Sequence, residues 1–442
     1  MGSQNINDIA AELSRLTRSL QEEVRHVELL EDRIDTLRRR RRRRSPPLRR
    51  DPDDDPPVDL DDPPRDGSYN ELEPPELHRP AEPQFVATPG DDLEEAARSL
   101  LSANVSPVLG ISGKHAGGIR LAHRYGAHAG GAPIRLTLKG VDDDAEIRGL
   151  TFYADEGRTD HFEAWDLKVA TPYGSRAPIT DIAKSTDLVF KGVSLLPDVD
   201  NMDAYGGAGM KWGFDLGDGT DYLHIEDCPR QPGSRFEEHW AYIKSPGSLY
   251  IIRNDMSGGN RTGFQIRTPH YKEAPHGPIL IAENGLIDYG WDWDFNNGGY
   301  GMTVWENPFF LTEIRNNVVI NAKYGCLVIA KQPEGQYGWE TPAGYAHKRV
   351  LIHGNAFSAP AGDRNVVSMN HAEKIELKGD NEFGPTSGSG FDIVIDSATS
   401  QKWGAKPCLD VELDDKYWRG QADGSFEIKT WDGDNYVDYP LP

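Results

Sequence analysis

The sequence predicts an all-β body of stacked coils of chain, set behind a helical stalk. Three observations predict it. Apolar residues recur in heptads over residues 5–37. From about residue 105 helical periodicity vanishes, and short β-rich runs punctuated by Gly and Asn replace it. Those runs repeat, with starts 25 to 43 residues apart.

The stalk comes first. Heptad position a is Ile6, Leu13, Leu20, Val27 and Ile34; position d is Ile9, Leu16, Glu23, Leu30 and Leu37. Five heptads with a single polar break, Glu23, imply association of helices rather than packing on a globular core. Mixed Ile and Leu at both positions fits a dimer as well as a trimer. Residues 1–44 form this segment and end in seven arginines, Arg38–Arg44. The arginines either dock on an anionic surface or are solvated and paired with the aspartates that follow. Residues 45–84 are acidic and proline-rich, cannot bury apolar area, and are expected to form a disordered or extended linker. The body begins near Phe85. Residues 85–104 hold a short amphipathic helix, DDLEEAARSLLSA, suited to covering the first coil, whose edge is otherwise exposed.

The coils occupy residues 105–395. An apolar residue, two spacers, a special position, one spacer and an apolar residue recur at Ile147, Phe190, Ile225, Ile251, Ile281, Ile314 and Ile352, with a looser copy at Leu377. The special position is asparagine at Asn254, Asn284, Asn317 and Asn355. An irregular period of this size with a recurring turn asparagine signals one turn of chain per repeat. Asparagine suits a tight bend because it tolerates a left-handed backbone and bonds locally. Each coil then carries a second strand, GFQIR, GMTVW or GCLVI. Alternation points Phe264, Ile266, Met302, Val304, Cys326 and Val328 inward. It leaves two outward columns, Gln265–Thr303–Leu327 and Arg267–Trp305–Ile329, with neighbours about 4.8 Å apart. Residues 396–442 lose the repeat and are expected to form a small β cap.

In architecture these coils resemble the right-handed parallel β-helix of pectate-lyase-like proteins, over roughly residues 105–395. No catalytic motif accompanies the resemblance, so no catalytic residue carries over. A heptad stalk, a linker and such a body also resemble the layout of viral tailspike and fibre proteins. That resemblance implies a homotrimer, host-glycan binding or cleavage, and contacts with other virion proteins through the N-terminal region.

Chemistry is sought on the outward columns. The loop GWDWDFNN precedes the Trp305 strand and is expected to overhang it. Trp291, Asp292, Trp293 and Asp294 would then border Arg267 and Trp305, with Arg261 on the neighbouring coil. Aromatic faces stack on sugar rings, carboxylates bond hydroxyls, and arginine clamps an anionic sugar. The plainer account has both tryptophans folding back as apolar lids. Hydrolysis needs two carboxylates roughly 5–10 Å apart; Asp292 and Asp294, about 7 Å apart by strand rise, and Glu306 are the candidates. A lyase would use Arg267 as base beside Asp292 and Asp294. In DLGDGTD, the residues Asp215, Asp218 and Asp221 space acids as a calcium or magnesium loop does, without the bidentate Glu of an EF-hand; a Gly-Asp turn is the simpler expectation, and no cofactor is otherwise implied. His239, beside two glutamates, has no second histidine at ligand spacing and is expected to be a core or rim residue. His115, His123 and His128 match no helical zinc motif.

Composition narrows the partners. With 71 Asp+Glu against 48 Lys+Arg the chain carries a net charge of −23, which argues against duplex nucleic acid. Abundant Asp and few Lys beside Arg fit a salt-adapted organism; an acidic mesophilic protein fits as well. Three distant cysteines, Cys228, Cys326 and Cys408, form neither a disulfide framework nor a zinc pattern. No apolar run spans a bilayer, and the polar N-terminus is not a signal peptide. The expected protein is an oligomeric spike or fibre of a virion, made in the host cytoplasm, that binds a surface glycan or receptor through the flank of its coils. A polysaccharide lyase or hydrolase on the same scaffold, and a cellular surface adhesin, are the alternatives.

Overall fold

The computed structural model describes residues 71–103, 106–122, 135–153, 161–173, 175–181, 187–197, 212–216, 221–230, 239–244, 247–257, 262–267, 277–289, 299–305, 311–331, 347–358, 365–384, 391–398, 401, 405–414 and 427–440. The heptads and the arginine block lie outside them.

Three sets of strands organise the chain. Sheet I has twelve strands in the order of the sequence, from Phe85–Ala87 and Val108–Ile111 to Ala372–Leu377 and Asp410–Leu413. Sheet III also has twelve, from Ile119–Ala122 to Ile428–Trp431 and Tyr436–Asp438. Between them run the short strands of sheet II, in two groups: Glu146–Arg148 to Ser194–Leu196, and Gly285–Tyr289 to Glu382–Phe383. The chain passes from I to II to III and returns to I one strand further along. Neighbouring strands are parallel except the last pair of sheet III, which is antiparallel. The body is therefore nearly all parallel sheet, an order consistent with a parallel β-helix. Its interior is a continuous apolar column in which Phe152, Phe162, Phe190, Phe214 and Trp240 follow one another with ring centroids 4.7 to 6.3 Å apart.

The repeat copies occupy one column of sheet I. Ala164, Phe190, Ile225, Ile251, Ile281, Ile314, Ile352 and Leu377 pair in succession. The Ile147 copy does not belong there: Ile147 pairs with Val169 in sheet II. The true predecessor of Phe190 is Ala164, whose coil lacks the asparagine and whose small side chain hides the pattern.

At the corner from sheet I to sheet II the asparagines form a ladder. Asn254 Nδ2 donates to Asn284 Oδ1 at 3.0 Å; the same bond runs from Asn284 to Asn317, Asn317 to Asn355 and Asn355 to Asn381, each at 2.9 Å. Each Oδ1 also accepts the backbone N–H of the preceding coil's corner residue, at 3.0 to 3.1 Å, beginning with Cys228. Each Nδ2 bonds back to an isoleucine carbonyl, such as Ile281 O for Asn317 at 2.9 Å. The left-handed residue is not the laddered asparagine but the one before it. Asp166, Gly192, Asp227, Arg253, Glu283, Asn316 and Gly354 have φ between 50° and 65°. Glycine adopts that backbone freely, and the others pay about 1–2 kcal/mol.

The sequence-predicted register of sheet III needs one correction. Cys326 and Leu327 both belong to the core, as do Trp240 and Ala241, so alternation restarts after the first residues of these strands while the pairing offset stays constant. Leu327 then pairs with Met302 and points inward, and Val328 pairs with Thr303 on the outer face. Leu327 and Ile329 leave the predicted outward columns; Val328 and Ala330 replace them. The cause is Gly325, which pairs with Tyr300 rather than with Gly301. A one-residue slip exchanges the two faces.

The helix Leu93–Ala103 starts on Asp92, whose Oδ1 accepts the Glu95 N–H at 3.0 Å. Its buried face, Leu93, Ala97 and Leu101, joins the core. Strand pairing continues past residue 395, since Asp410–Leu413 and Ile428–Trp431 extend sheets I and III. Residues 71–84, part of the segment expected to be a disordered or extended linker, have no helix or strand and are held to sheet I at Glu71–Leu72 and at Glu82–Gln84.

Replacing Asn317 by alanine strands the Asn284 N–H and carboxamide in the interior, each worth about 1–3 kcal/mol. Urea unfolding followed by tryptophan fluorescence is expected to show a loss of about 3 kcal/mol or more. Asn316→Gly, one residue away, is expected to stay within about 1 kcal/mol of the parent, or to gain.

Candidate functional site

Two outer faces carry polar and aromatic side chains. On sheet III the first column is Asp215, Tyr242, Gln265, Thr303 and Val328. In the second, Lys244 pairs with Arg267, and Trp305, one residue beyond the Ile266–Val304 pair, continues it to Ala330. Lys244 Nζ bonds Asp215 Oδ1 at 3.2 Å and lies 5.0 Å from the centre of the Tyr242 ring. His239 stacks on Tyr242 with centroids 5.6 Å apart and planes 14° apart; it is buried, as a rim residue. Tyr242, Lys244, Gln265 and Trp305 are half-buried. Trp305 sits two strands from Lys244, about 10 Å by strand spacing. The result is a ledge on which a ring can stack, beside one neutralised charge pair.

Of the residues the sequence singles out, the structure places Trp305 on this ledge and Arg267 at its backbone position in the same column. Trp291, Asp292, Trp293, Asp294, Arg261 and Glu306 lie outside the described residues. In the proposed cation loop, Asp215 binds Lys244, Asp221 gives its carbonyl to the Ser248 N–H at 2.7 Å, and Asp218 is outside the described residues, as are His123 and His128. His115 is buried at the entry to the coils, its Nε2 3.2 Å from Ser112 O. Among the described residues no group of three or more His, Cys, Asp or Glu is placed to hold a metal ion. No helix among them is long and apolar enough to cross a membrane.

The second face, on sheet I, was not anticipated. Tyr222 Oη lies 2.9 Å from His224 Nδ1, and His224 Nε2 lies 2.7 Å from Glu226 Oε2. Glu226 also takes Lys191 Nζ at 2.5 Å and the guanidinium of Arg253, which bonds Asp227 at 2.8 Å. One step along, His161 lies between Glu163 at 2.8 Å and Asp187 at 3.2 Å, and Trp165 Nε1 donates to Glu163 at 2.8 Å. Burial alone would raise Glu226, but the bonds from His224 and Lys191 and the charge of Arg253 outweigh it and hold the carboxyl at about 2. Burial opposes a charge on His161; its two carboxylate partners prevail and raise it. Burial pushes the Tyr222 hydroxyl far above the ordinary phenol range, so it stays a donor. Ionised Glu226 accepts from the Nε2–H of His224, and the Tyr222 hydroxyl lies against Nδ1 on the other side of the ring. Its acceptor sites are occupied and no free base is presented. The one sequence signal for this network is alternation, since H-x-E and Y-x-H-x-E put every second residue on one face.

Raised carboxylates occur elsewhere. Burial raises Asp392 and Asp396, yet they accept backbone N–H groups from Glu427 at 2.9 Å and Cys408 at 3.0 Å. They join successive coils and flank the sheet III strand Ile393–Ile395, three strands beyond that of Trp305. Comparison of the chain with family models, with curated proteins and with solved structures finds no match. The functional reading rests on this chain's own residues.

Because Glu226 is depressed in the folded protein, its stabilisation is complete above the ordinary carboxylate value and is lost as pH falls from about 4.5 through about 2. Urea unfolding at pH 6, 4 and 3 is expected to show Glu226→Gln less stable than the parent at pH 6, with the gap closing toward pH 3.

Proposed function

We propose that this chain is an attachment protein of the spike or fibre type, a right-handed parallel β-helix that holds a host-surface glycan along the outer face of sheet III. The observation that carries the reading is the register-aligned ledge of Tyr242, Lys244, Gln265 and Trp305. Sheet positions fix these groups before a ligand arrives, which lowers the ordering cost of binding. The half-buried aromatic rings suit the apolar faces of sugars, and the amide and the charge pair suit hydroxyls. The heptads of residues 5–37 support a homotrimer, and a stalk followed by coils supports a place on a virion; the acidic composition supports a salt-adapted host. Residues 396–442 serve as the C-terminal cap. Binding is what these half-buried aromatic and amide groups support; cleavage by Asp292, Asp294 or Glu306 is the alternative that the assay below separates from it.

The test incubates the purified protein with host-surface polysaccharide in high salt and measures both retention and new reducing or unsaturated ends. Retention without new ends is expected. Tyr242→Ala and Trp305→Ala should each weaken it about tenfold, the loss of a stacking contact of about 1–1.5 kcal/mol. New ends that vanish in Asp292→Ala/Asp294→Ala would instead make the protein a depolymerase. Neither retention nor new ends would remove the attachment role.

A further inference from the structure

Residues 71–84 contain no helix or strand, yet one end is fixed on the outer face of sheet I and the other runs into the sheet's first strand, Phe85–Ala87. At one end the Leu72 N–H donates to Glu313 Oε2 at 2.7 Å, and Arg315 bonds Glu71 at 3.2 Å. The Leu72 side chain packs on the cluster Tyr250, Ile252, Leu280 and Ala282. At the other end Gln84 and Val108 exchange two bonds, at 3.1 and 2.5 Å, and Glu82 lies 3.5 Å from Lys139 Nζ. Pro83 meets Gly110 so closely that a Cβ there would come within 3.0 Å of its ring.

The two ends share a register. Strand pairing links Val108 to Glu313 through Thr137, Glu163, Val189, His224, Tyr250 and Leu280. It likewise links Lys139 to Arg315 in the adjacent column. Seven strand steps separate Val108 from Glu313, about 34 Å by strand spacing. Twelve residues of polyproline II span about 37 Å. Leu72, Pro74, Leu77, Pro80 and Pro83 are the half-buried residues of the segment, and from Pro74 onward they recur every third position, the period of that helix. Each acidic end meets a cation of the sheet, and the leucine between them meets its apolar patch.

We infer that the outer face of sheet I is a recognition groove for an extended proline-rich peptide with acidic ends, that the chain fills it with its own residues 71–84, and that it takes the same segment from a second copy when its own is displaced. Recognition is by an apolar anchor and two charge pairs on a pre-extended ligand, so little ordering entropy opposes it. A tethered segment competes at an effective concentration on the order of millimolar, which is why a free peptide at micromolar concentration does not enter the intact protein.

The experiment adds a fluorescent peptide of residues 70–84 to the full chain and follows anisotropy. The parent is expected to take up none at micromolar concentration. Glu71→Lys/Leu72→Asp, which sets a cation against Arg315 and a charge on the apolar patch, is expected to bind the peptide at least tenfold more tightly. A peptide carrying the same two changes should not bind. Cleavage after Glu76 by a glutamyl endopeptidase reports release of the variant's own segment, and circular dichroism reports its fold. Release without uptake, equal uptake of the altered peptide, or no faster cleavage than in the parent would each overturn the inference.

Discussion

Everything in the described body depends on closing the hydrogen bonds of one buried corner. Where the chain leaves sheet I it turns through a left-handed residue, and that residue still donates to the coil ahead, as Arg253 does to Ala282. The next N–H has no backbone acceptor in front of it. In a buried corner such an orphan costs about 1–3 kcal/mol. The asparagine of the following coil supplies its side-chain oxygen, and its amide nitrogen serves the coil behind. Each corner is thus completed by its neighbour, so five corners, from Cys228 to Asn355, are closed by the asparagine of the following coil. Before Asn254 the position is taken by Leu167, Val193 and Cys228, which pack into the core without an amide ladder.

A corner fixed in this way frees the rest of each coil to vary. The in-register copies from Phe190 to Leu377 start 25 to 38 residues apart, yet their strands remain aligned. Variable length is absorbed between strands, and the outward columns stay aligned. Alignment explains why side chains far apart in sequence act together on both faces. On sheet I it gathers Lys191, Glu226 and Arg253 into one paired network in a chain of large negative charge. On sheet III it sets Tyr242 and Trp305 two strands apart.

The corner was legible because its residues are constrained twice, by turn geometry and by the ladder. The copies from Phe190 to Leu377 were readable from spacing alone. Ile147 misled because its run satisfies the same pattern in a different strand. Val328 misled because a leading glycine suggests a common start for GMTVW and GCLVI, whereas Gly325 pairs with Tyr300, one residue before Gly301. The arm of residues 71–84 was illegible for a deeper reason. Its composition is that of a disordered or extended linker, and what holds its ends lies in columns assembled from strands up to 244 residues away. The His224–Glu226 network was missed because histidines were judged by metal spacing, whereas here alternation was the informative period.

Sheet I shows why such a body has two unlike faces. Parallel strands are normally buried on both sides, and the outward residues Val189, His224, Tyr250, Leu280 and Glu313 are indeed buried. The segment 71–84 contributes that cover, so this face is already engaged. On sheet III the outward residues Tyr242, Gln265 and Trp305 keep partial exposure. Polar and aromatic groups left partly open on a rigid sheet, beside a face that the chain itself occupies, favour sheet III as the surface for an outside ligand. A carboxylate bound to Lys244 and an amide at Gln265 offer fixed polar groups to the hydroxyls of such a ligand, beside the aromatic faces of Tyr242 and Trp305.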